Sequence, residues 1–348
     1  MILVSIRDIE RIAARVLLSL TAVVAFGALV LTMIWRDRDS LDDIEIARLE
    51  HTRGVDSPVT VTWFGVTTLL FDDGETQILI DGFISRPTLF QLLTAQPVDN
   101  DIATINYFLN EYRVRRLAAI IPVHSHYDHA MDVGAIGNRT SASILGSEST
   151  AQIARGAGVP EDQIVVVEDQ AEYTFGQFSI RLIESNHAPV GLRGSVPLPG
   201  TIDAPLTTPA PVAEWREGTS YSIVVSHPSG TTLVQGSGGI KEAALDNVKV
   251  DVVMLGTGLI EGLGRDYVER YWLATVTSTG ADTVFPIHFD DYTKAFGVVE
   301  LMPTFFNDLA DTVELLEELR RTWDSDARLF LPEFGEPIPL YPAPKPET

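Results

Sequence analysis

The stretch Leu117-Ala118-Ala119-Ile120-Ile121-Pro122-Val123-His124-Ser125-His126-Tyr127-Asp128-His129 joins an apolar run to four metal-ligating side chains within six positions. The run Leu117–Val123 suits a buried strand. In the extended chain leaving it, positions 124 and 126 project to the same side. Asp128 and His129 come next, where the chain turns into a helix. Imidazole and carboxylate together form a donor set that zinc and similar divalent ions accept. One histidine would be an ordinary core or surface group, but four ligand types at this spacing point to a metal.

The whole chain has 348 residues, 45% of them hydrophobic and 21% charged, with no cysteine and a formal net charge of −23. That apolar fraction excludes disorder as the main state and is ample for a large core. The lack of cysteine excludes disulfides, thiolate metal sites and cysteine nucleophiles. The first 40 residues carry five arginines and four acids, so the acidic excess lies in residues 41–348. Such a surface repels polyanions, and no nucleic-acid partner is expected.

Val16–Trp35 is a run of twenty residues without a charge. As a helix it would be roughly 30 Å long, the thickness of a bilayer's hydrocarbon core. It exceeds the usual ~7–15-residue core of a cleaved signal, and Trp35-Arg36-Asp37-Arg38 offers no small-residue cleavage site. A transmembrane anchor over 16–35 is therefore expected, after an N-terminal tail of 1–15. Arg7, Arg11 and Arg15 against Arg36 and Arg38 tilt the charge balance toward a cytoplasmic N-terminus and a catalytic domain on the non-cytoplasmic side.

Residues 36–57 read as a charged juxtamembrane stalk, partly helical around Leu41–Leu49. From Pro58 the pattern becomes short strands, at Val59–Phe64, Thr67–Phe71 and Gln77–Asp81, with Asp72-Asp73-Gly74 as a hairpin turn. A helix is expected over Ile102–Val114, and another near Thr150–Gly156. Further strands are expected at Ile164–Val167, Phe178–Ser185, Tyr221–Ser226, Thr231–Gln235, Asp251–Leu255, Thr283–Ile287 and Arg328–Leu331. Helices near Gly264–Ser278 and Pro303–Thr322 separate the last of these. Strands in two batches, each followed by helices, predict an α/β (α+β) fold of two sheets between helical layers. The catalytic domain is placed at 58–332 and a Pro-rich, extended tail at 333–348. Val190–Thr219 holds five prolines without periodicity and suits a lid, a binding loop or a surface insertion.

The spacing His-x-His-x-Asp-His resembles the metallo-β-lactamase superfamily. So do Val61-Thr62-Trp63-Phe64-Gly65, Ile78-Leu79-Ile80-Asp81, His187 in Ser185-Asn186-His187-Ala188-Pro189, and His288 in Phe285-Pro286-Ile287-His288-Phe289-Asp290. The nearest branch by these features includes ascorbate-6-phosphate lactonase and N-acyl-phosphatidylethanolamine phospholipase D. The resemblance implies an αββα sandwich with its site at the sheet edges. It also implies one metal on His124, His126 and His187, a second on Asp128, His129 and His288, and Asp81 as an acceptor that orients a ligand. From its residues alone, Asp81 fits a turn before Gly82 equally well. Of the remaining histidines, His51 reads as solvated and His227 as a turn residue beside Pro228-Ser229-Gly230.

One position departs from the family pattern. Leu233-Val234-Gln235-Gly236-Ser237-Gly238-Gly239 puts Ser237 where the family has an aspartate bridging two metals. Losing that charge predicts one tight zinc and a second, weaker ion, with Asp290 as a conceivable substitute; iron or manganese suits the same donors. The resulting expectation is hydrolysis of an ester, lactone or phosphodiester by a metal-bound hydroxide, with Asp128 catalytic. Phe83, Ile84, Phe90 and the Pro-rich loop suggest a small-molecule or lipid-like substrate. Rival readings are a non-hydrolytic iron redox enzyme on the same fold and a membrane-tethered binding protein with an impaired site.

Overall fold

Along the strands, alternate side chains sort into three apolar layers, and that sorting builds the molecule. The computed structural model of the chain describes residues 6–48, 57–324 and 326–341. A seven-stranded sheet runs in the order Pro337–Leu340, Val59–Trp63, Leu69–Asp72, Gln77–Ile80, Leu117–Ile121, Ser143–Gly146 and Ile164–Val166. An eight-stranded sheet runs Ala47–Arg48, Arg328–Leu331, Thr283–Ile287, Val252–Gly256, Gly230–Gln235, Ser220–His227, Phe178–Ser185 and Glu172–Phe175. Each sheet is antiparallel at one end and parallel at the other.

Ile78 and Ile80 face the second sheet, where Phe178, Ile180, Leu182, Ile223 and Val225 meet them. Leu79 and Ile120 point the other way, against Phe108 and Leu109 of the helix Ile102–Glu111 and Ile136 of the helix Val133–Thr140. On the far side, Val224, Leu233 and Val253 pack on Tyr271 and Trp272 of the helix Arg265–Trp272 and on Leu316 and Leu319 of Leu309–Trp323. Period-two alternation thus supplies both faces of each sheet, and the architecture is the expected αββα sandwich.

Several segments differ from expectation. No helix forms over Leu41–Leu49 among its described residues: a short 3-10 turn at Leu41–Asp43 leads to a strand, Ala47–Arg48, parallel to Arg328–Leu331. Ile44 is buried in the core and Ile46 packs against it, so this segment is docked on the domain rather than free. The tail read as extended returns to the fold as the strand Pro337–Leu340, antiparallel to Val59–Trp63. The helix read from Pro303 begins instead at Leu309, capped by Asp308. Strands Ser143–Gly146 and Glu172–Phe175 are too short and too mixed to announce themselves. His51 lies outside the described residues.

The N-terminal helix spans Ile6–Arg36, and within it Arg11–Arg36 is long and apolar enough to cross a membrane. Of that stretch only Gly27, Ile34 and Trp35 are even half-buried.

Candidate metal centre

Eight side chains that the sequence singles out meet along one edge of the sandwich, because each follows a strand that ends there. Asp81 follows Gln77–Ile80, the histidine run follows Leu117–Ile121, and His187 follows Phe178–Ser185. Ser237 follows Gly230–Gln235, and His288 follows Thr283–Ile287. Asp81 and His288 both hold left-handed backbone, with φ of 57° and 61°. Non-glycine residues adopt it at a cost of roughly 1–2 kcal/mol, and such outliers gather at functional sites. The His288 bend is fixed by its N–H donating to the Val66 carbonyl at 2.9 Å. Gly258 lets His288 sit close: a Cβ there would lie 2.7 Å from the His288 Nδ1.

The ligand-type groups form two clusters, His124, His126 and His187 in one, Asp128, His129 and His288 in the other; in each, the ligating atoms lie within 4.8 Å of one another. His124 Nε2 and His126 Nδ1 face each other at 2.8 Å. The outer nitrogens are tied back where it matters. His187 Nδ1 lies 2.7 Å from the Ala188 carbonyl, and His129 Nδ1 lies 2.6 Å from Asp81 Oδ2, so each presents Nε2 to the site. Asp81 Oδ1 also accepts the Val123 N–H at 2.8 Å, which pins the start of the histidine run. Asp81 thus both ends its strand and bonds the side chain of His129 and the backbone of Val123, the contacts an orienting acceptor would make. Asp128 Oδ2 stands 3.6 Å from His129 Nε2 and 3.7 Å from His288 Nε2.

Electrostatics suit cation binding. Burial and the neighbouring imidazoles push His124 well below the ordinary histidine range; burial also lowers His126 and takes His187 down to about 4. Neutral rings with free lone pairs are the form that binds a metal. Burial opposes charge on His129, but Asp81 and Asp128 outweigh it and hold its pKa up. Burial likewise opposes charge on Asp128, yet His129 and His288 keep its carboxyl far below the usual carboxylate range. The buried His124 Nδ1 and His126 Nε2 lack hydrogen-bond partners. Three neutral imidazoles beside a carboxylate and two more imidazoles fit divalent ions in donor type and number.

Ser237 lines the site, and its hydroxyl donates to the Asn186 carbonyl at 3.3 Å. Asp290 does not stand in for a missing carboxylate, because other groups hold it. Its Oδ1 accepts the Val66 N–H at 2.7 Å, and its Oδ2 lies 3.7 Å from the buried Arg86 guanidinium. His227 ends its strand at a hairpin, with the Ser229 N–H donating to its Nδ1 at 3.2 Å; Asp73 is its carboxylate neighbour.

Above the ligands lies a pocket of about 290 Å³. The Pro-rich segment gives it Val190, Pro197, Leu198 and Val212, so that loop does form part of the mouth. Phe83 and Ile84 are instead fully buried in the core, and Phe90 is exposed without lining the pocket. Sequence reading passed over Tyr127, Tyr292, Leu259, Met302 and Asn307, which line it. No periodicity marks them, since they come from the start of the short helix Tyr127–Ala130, the loop at Leu259 and the irregular segment 290–307.

A sequence model of the metallo-beta-lactamase superfamily matches residues 61–237. A UPF0173 metal-dependent hydrolase of Pyrobaculum islandicum is 23% identical over 236 residues, 67% of this chain and 84% of its own length. Among solved structures, the isothiocyanate hydrolase from Delia radicum gut bacteria is similar at TM-score 0.50 and 18% identity, covering 81% of this chain and 99% of its own. The diiron β-hydroxylase CmlA of Streptomyces venezuelae is similar at TM-score 0.51 and 12% identity, covering 82% and 55%. At those identities the two structures share the fold alone. The match takes in Asp81, the entire histidine run, His187 and Ser237, and over half its length the chain belongs to the metallo-beta-lactamase superfamily.

Proposed function

We propose that the chain is a membrane-anchored, metal-dependent hydrolase of an ester, lactone or phosphodiester, with residues 58–332 and the strand Pro337–Leu340 as its catalytic unit. The observation that carries this reading is the pair of ligand clusters beneath one pocket, with His129 and His187 each turned by a fixed outer hydrogen bond. His124, His126 and His187 would hold one ion, zinc by donor type, and Asp128, His129 and His288 a weaker second. A bound divalent ion supplies Lewis acidity and makes a water acidic enough to act as a nucleophile near neutral pH.

The chain's own groups do the rest. Asp128, held ionised by His129 and His288, is placed to accept the proton that the attacking water gives up. Asp81 keeps His129 oriented through the reaction. The phenols of Tyr127 and Tyr292 are kept neutral by burial and hydrogen-bond to each other, so the pair lines the pocket without adding charge. Anchoring rests on the exposed apolar helix and its arginine flanks, which also argue for a catalytic domain outside the cytoplasm.

Elemental analysis of the purified protein, with turnover measured on a panel of small esters and phosphodiesters, tests this reading. His126→Ala is expected to reduce turnover to background while circular dichroism stays unchanged, since the two-sheet core is held by apolar burial. Wild-type turnover in that variant, or a metal-free protein that hydrolyses equally well, would overturn it.

A further inference from the structure

The segment from Asp290 to Asn307 does two things at once. It walls the pocket with Asp290, Tyr292, Met302 and Asn307. It also grips the end of the N-terminal helix. Arg38 Nη1 donates to Asp291 Oδ2 at 2.7 Å and to the Leu301 carbonyl at 2.8 Å. The Thr304 N–H donates to the Asp37 carbonyl at 3.0 Å, and Phe306 meets Trp35 edge-on at 6.0 Å. Beside these contacts Phe305 is 72% and Phe306 46% exposed.

Resting on the hydrolase and anchor reading above, we propose that the pocket is loaded from the bilayer, and that its substrate is an uncharged amphipathic acyl ester or lactone. Trp35 ends the apolar span, and tryptophan at that position sits at the membrane–water boundary. Phe306 touches it, so Phe305 and Phe306 lie at the same level and immerse in the interface. Met302 is three residues from Phe305, a reach of at most ~11 Å along the chain. The polar layer of a bilayer is roughly 5–8 Å thick on each side. The pocket wall therefore lies within the headgroup layer or a few ångströms above it, within reach of an ester bond carried by a molecule whose tails stay in the membrane.

The charge of the scissile group is set by the lining. Among the described residues that form the pocket there is no lysine or arginine, whereas Asp128 supplies a negative charge and Asp290 already pairs with the buried Arg86 behind the wall. A phosphodiester would meet no fixed side-chain cation there, in a chain of net charge −23. An acyl ester brings no such cost. In the reaction the water oxygen bonds to the acyl carbon, the acyl C–O bond breaks, and the departing oxygen takes a proton, giving an acid and an alcohol.

The test uses the full chain, supplied with zinc, in vesicles of ether-linked phosphatidylcholine, whose hydrolysable bonds are phosphodiesters, containing dioleoylglycerol. Turnover of 4-nitrophenyl butyrate in the surrounding water is measured in parallel. Oleate release is expected, and Phe305→Asn combined with Phe306→Asn should cut it at least ten-fold while butyrate turnover stays within two-fold. Equal loss on both substrates, no loss, butyrate turnover alone, or cleavage of the phosphatidylcholine would overturn the proposal and leave the hydrolase reading standing. Turnover of none of the three would overturn both. Because the chain lacks cysteine, Phe305→Cys accepts a single nitroxide label. Its relaxation should report oxygen-rich, interfacial surroundings, and a fully water-exposed label would defeat the entry route whatever the kinetics.

Discussion

At the scale of single residues, Ser237 bears on how many ions the proposed site should hold tightly. A neutral hydroxyl there leaves one cluster with three imidazoles and the other with a single carboxylate, and Asp290 is already engaged by Val66 and Arg86. Two ions with one carboxylate between them repel each other with little compensation. Titrating metal-free protein with zinc should give about one tight equivalent, and Ser237→Asp should move it toward two. Two equally tight ions in the unaltered chain would remove Ser237 from the argument. The histidines also set a pH dependence in the metal-free state. His124, His126 and His187 have folded values below the unfolded ~6.5, so the unfolded chain binds more protons as the pH drops from ~6.5 toward the folded value, about 4 for His187. Stability should therefore fall with acidification across that window, on the order of 1 kcal/mol per pH unit for each histidine. His129, whose value is raised, acts in the opposite sense only above ~6.5, and within the window it is protonated in both states. Thermal melts of chelator-treated protein at pH 7.5 and 5 check the sign, and His187→Gln should flatten the slope.

Among the elements, the strand Pro337–Leu340 changes what the end of the chain does. It covers the edge of Val59–Trp63 and buries Ile338 and Leu340 in the inter-sheet core. Without it, an apolar strand with unpaired N–H and C=O groups is left at the rim of the first sheet. A chain ending at Pro332 should melt at a lower temperature and aggregate more readily than one ending at Tyr341, as seen by differential scanning fluorimetry with light scattering. An unchanged melting point would show that the pairing contributes nothing. The segment after the N-terminal helix is docked in the same manner. Arg48 donates to the Leu41 carbonyl, Ile44 is buried, and Ala47–Arg48 extends the second sheet. The link between helix and domain is therefore held at both ends of the described stretch.

For the whole molecule, the main question is how the domain sits on its helix. Salt bridging of Arg38 to Asp291 and packing of Trp35 on Phe306 set the metal-bearing edge near the end of the apolar span. Full-length protein should stay with membranes through alkaline carbonate extraction and begin at its encoded N-terminus. Release by carbonate, or a mature chain starting after Trp35, would count against the anchor.

Local patterning determined most of the architecture and four of the six candidate metal ligands. Period-two alternation marked Phe178–Ser185, half-buried on one face, and a continuous apolar run marked Thr283–Ile287, buried on both, each to the residue. The histidine run was legible because its donors are adjacent in sequence, and the family resemblance supplied His187 and His288. Tertiary structure decided what depends on distant partners. Ala47–Arg48 and Pro337–Leu340 are strands only because an open edge receives them, and neither carries a strong pattern of its own. Asp81 bonds His129, besides ending a strand, because folding brings residues 48 positions apart to 2.6 Å. The pocket wall from Asp290 to Asn307 is irregular backbone whose course is set by Arg38, Val66 and Leu259, contacts that no local periodicity encodes.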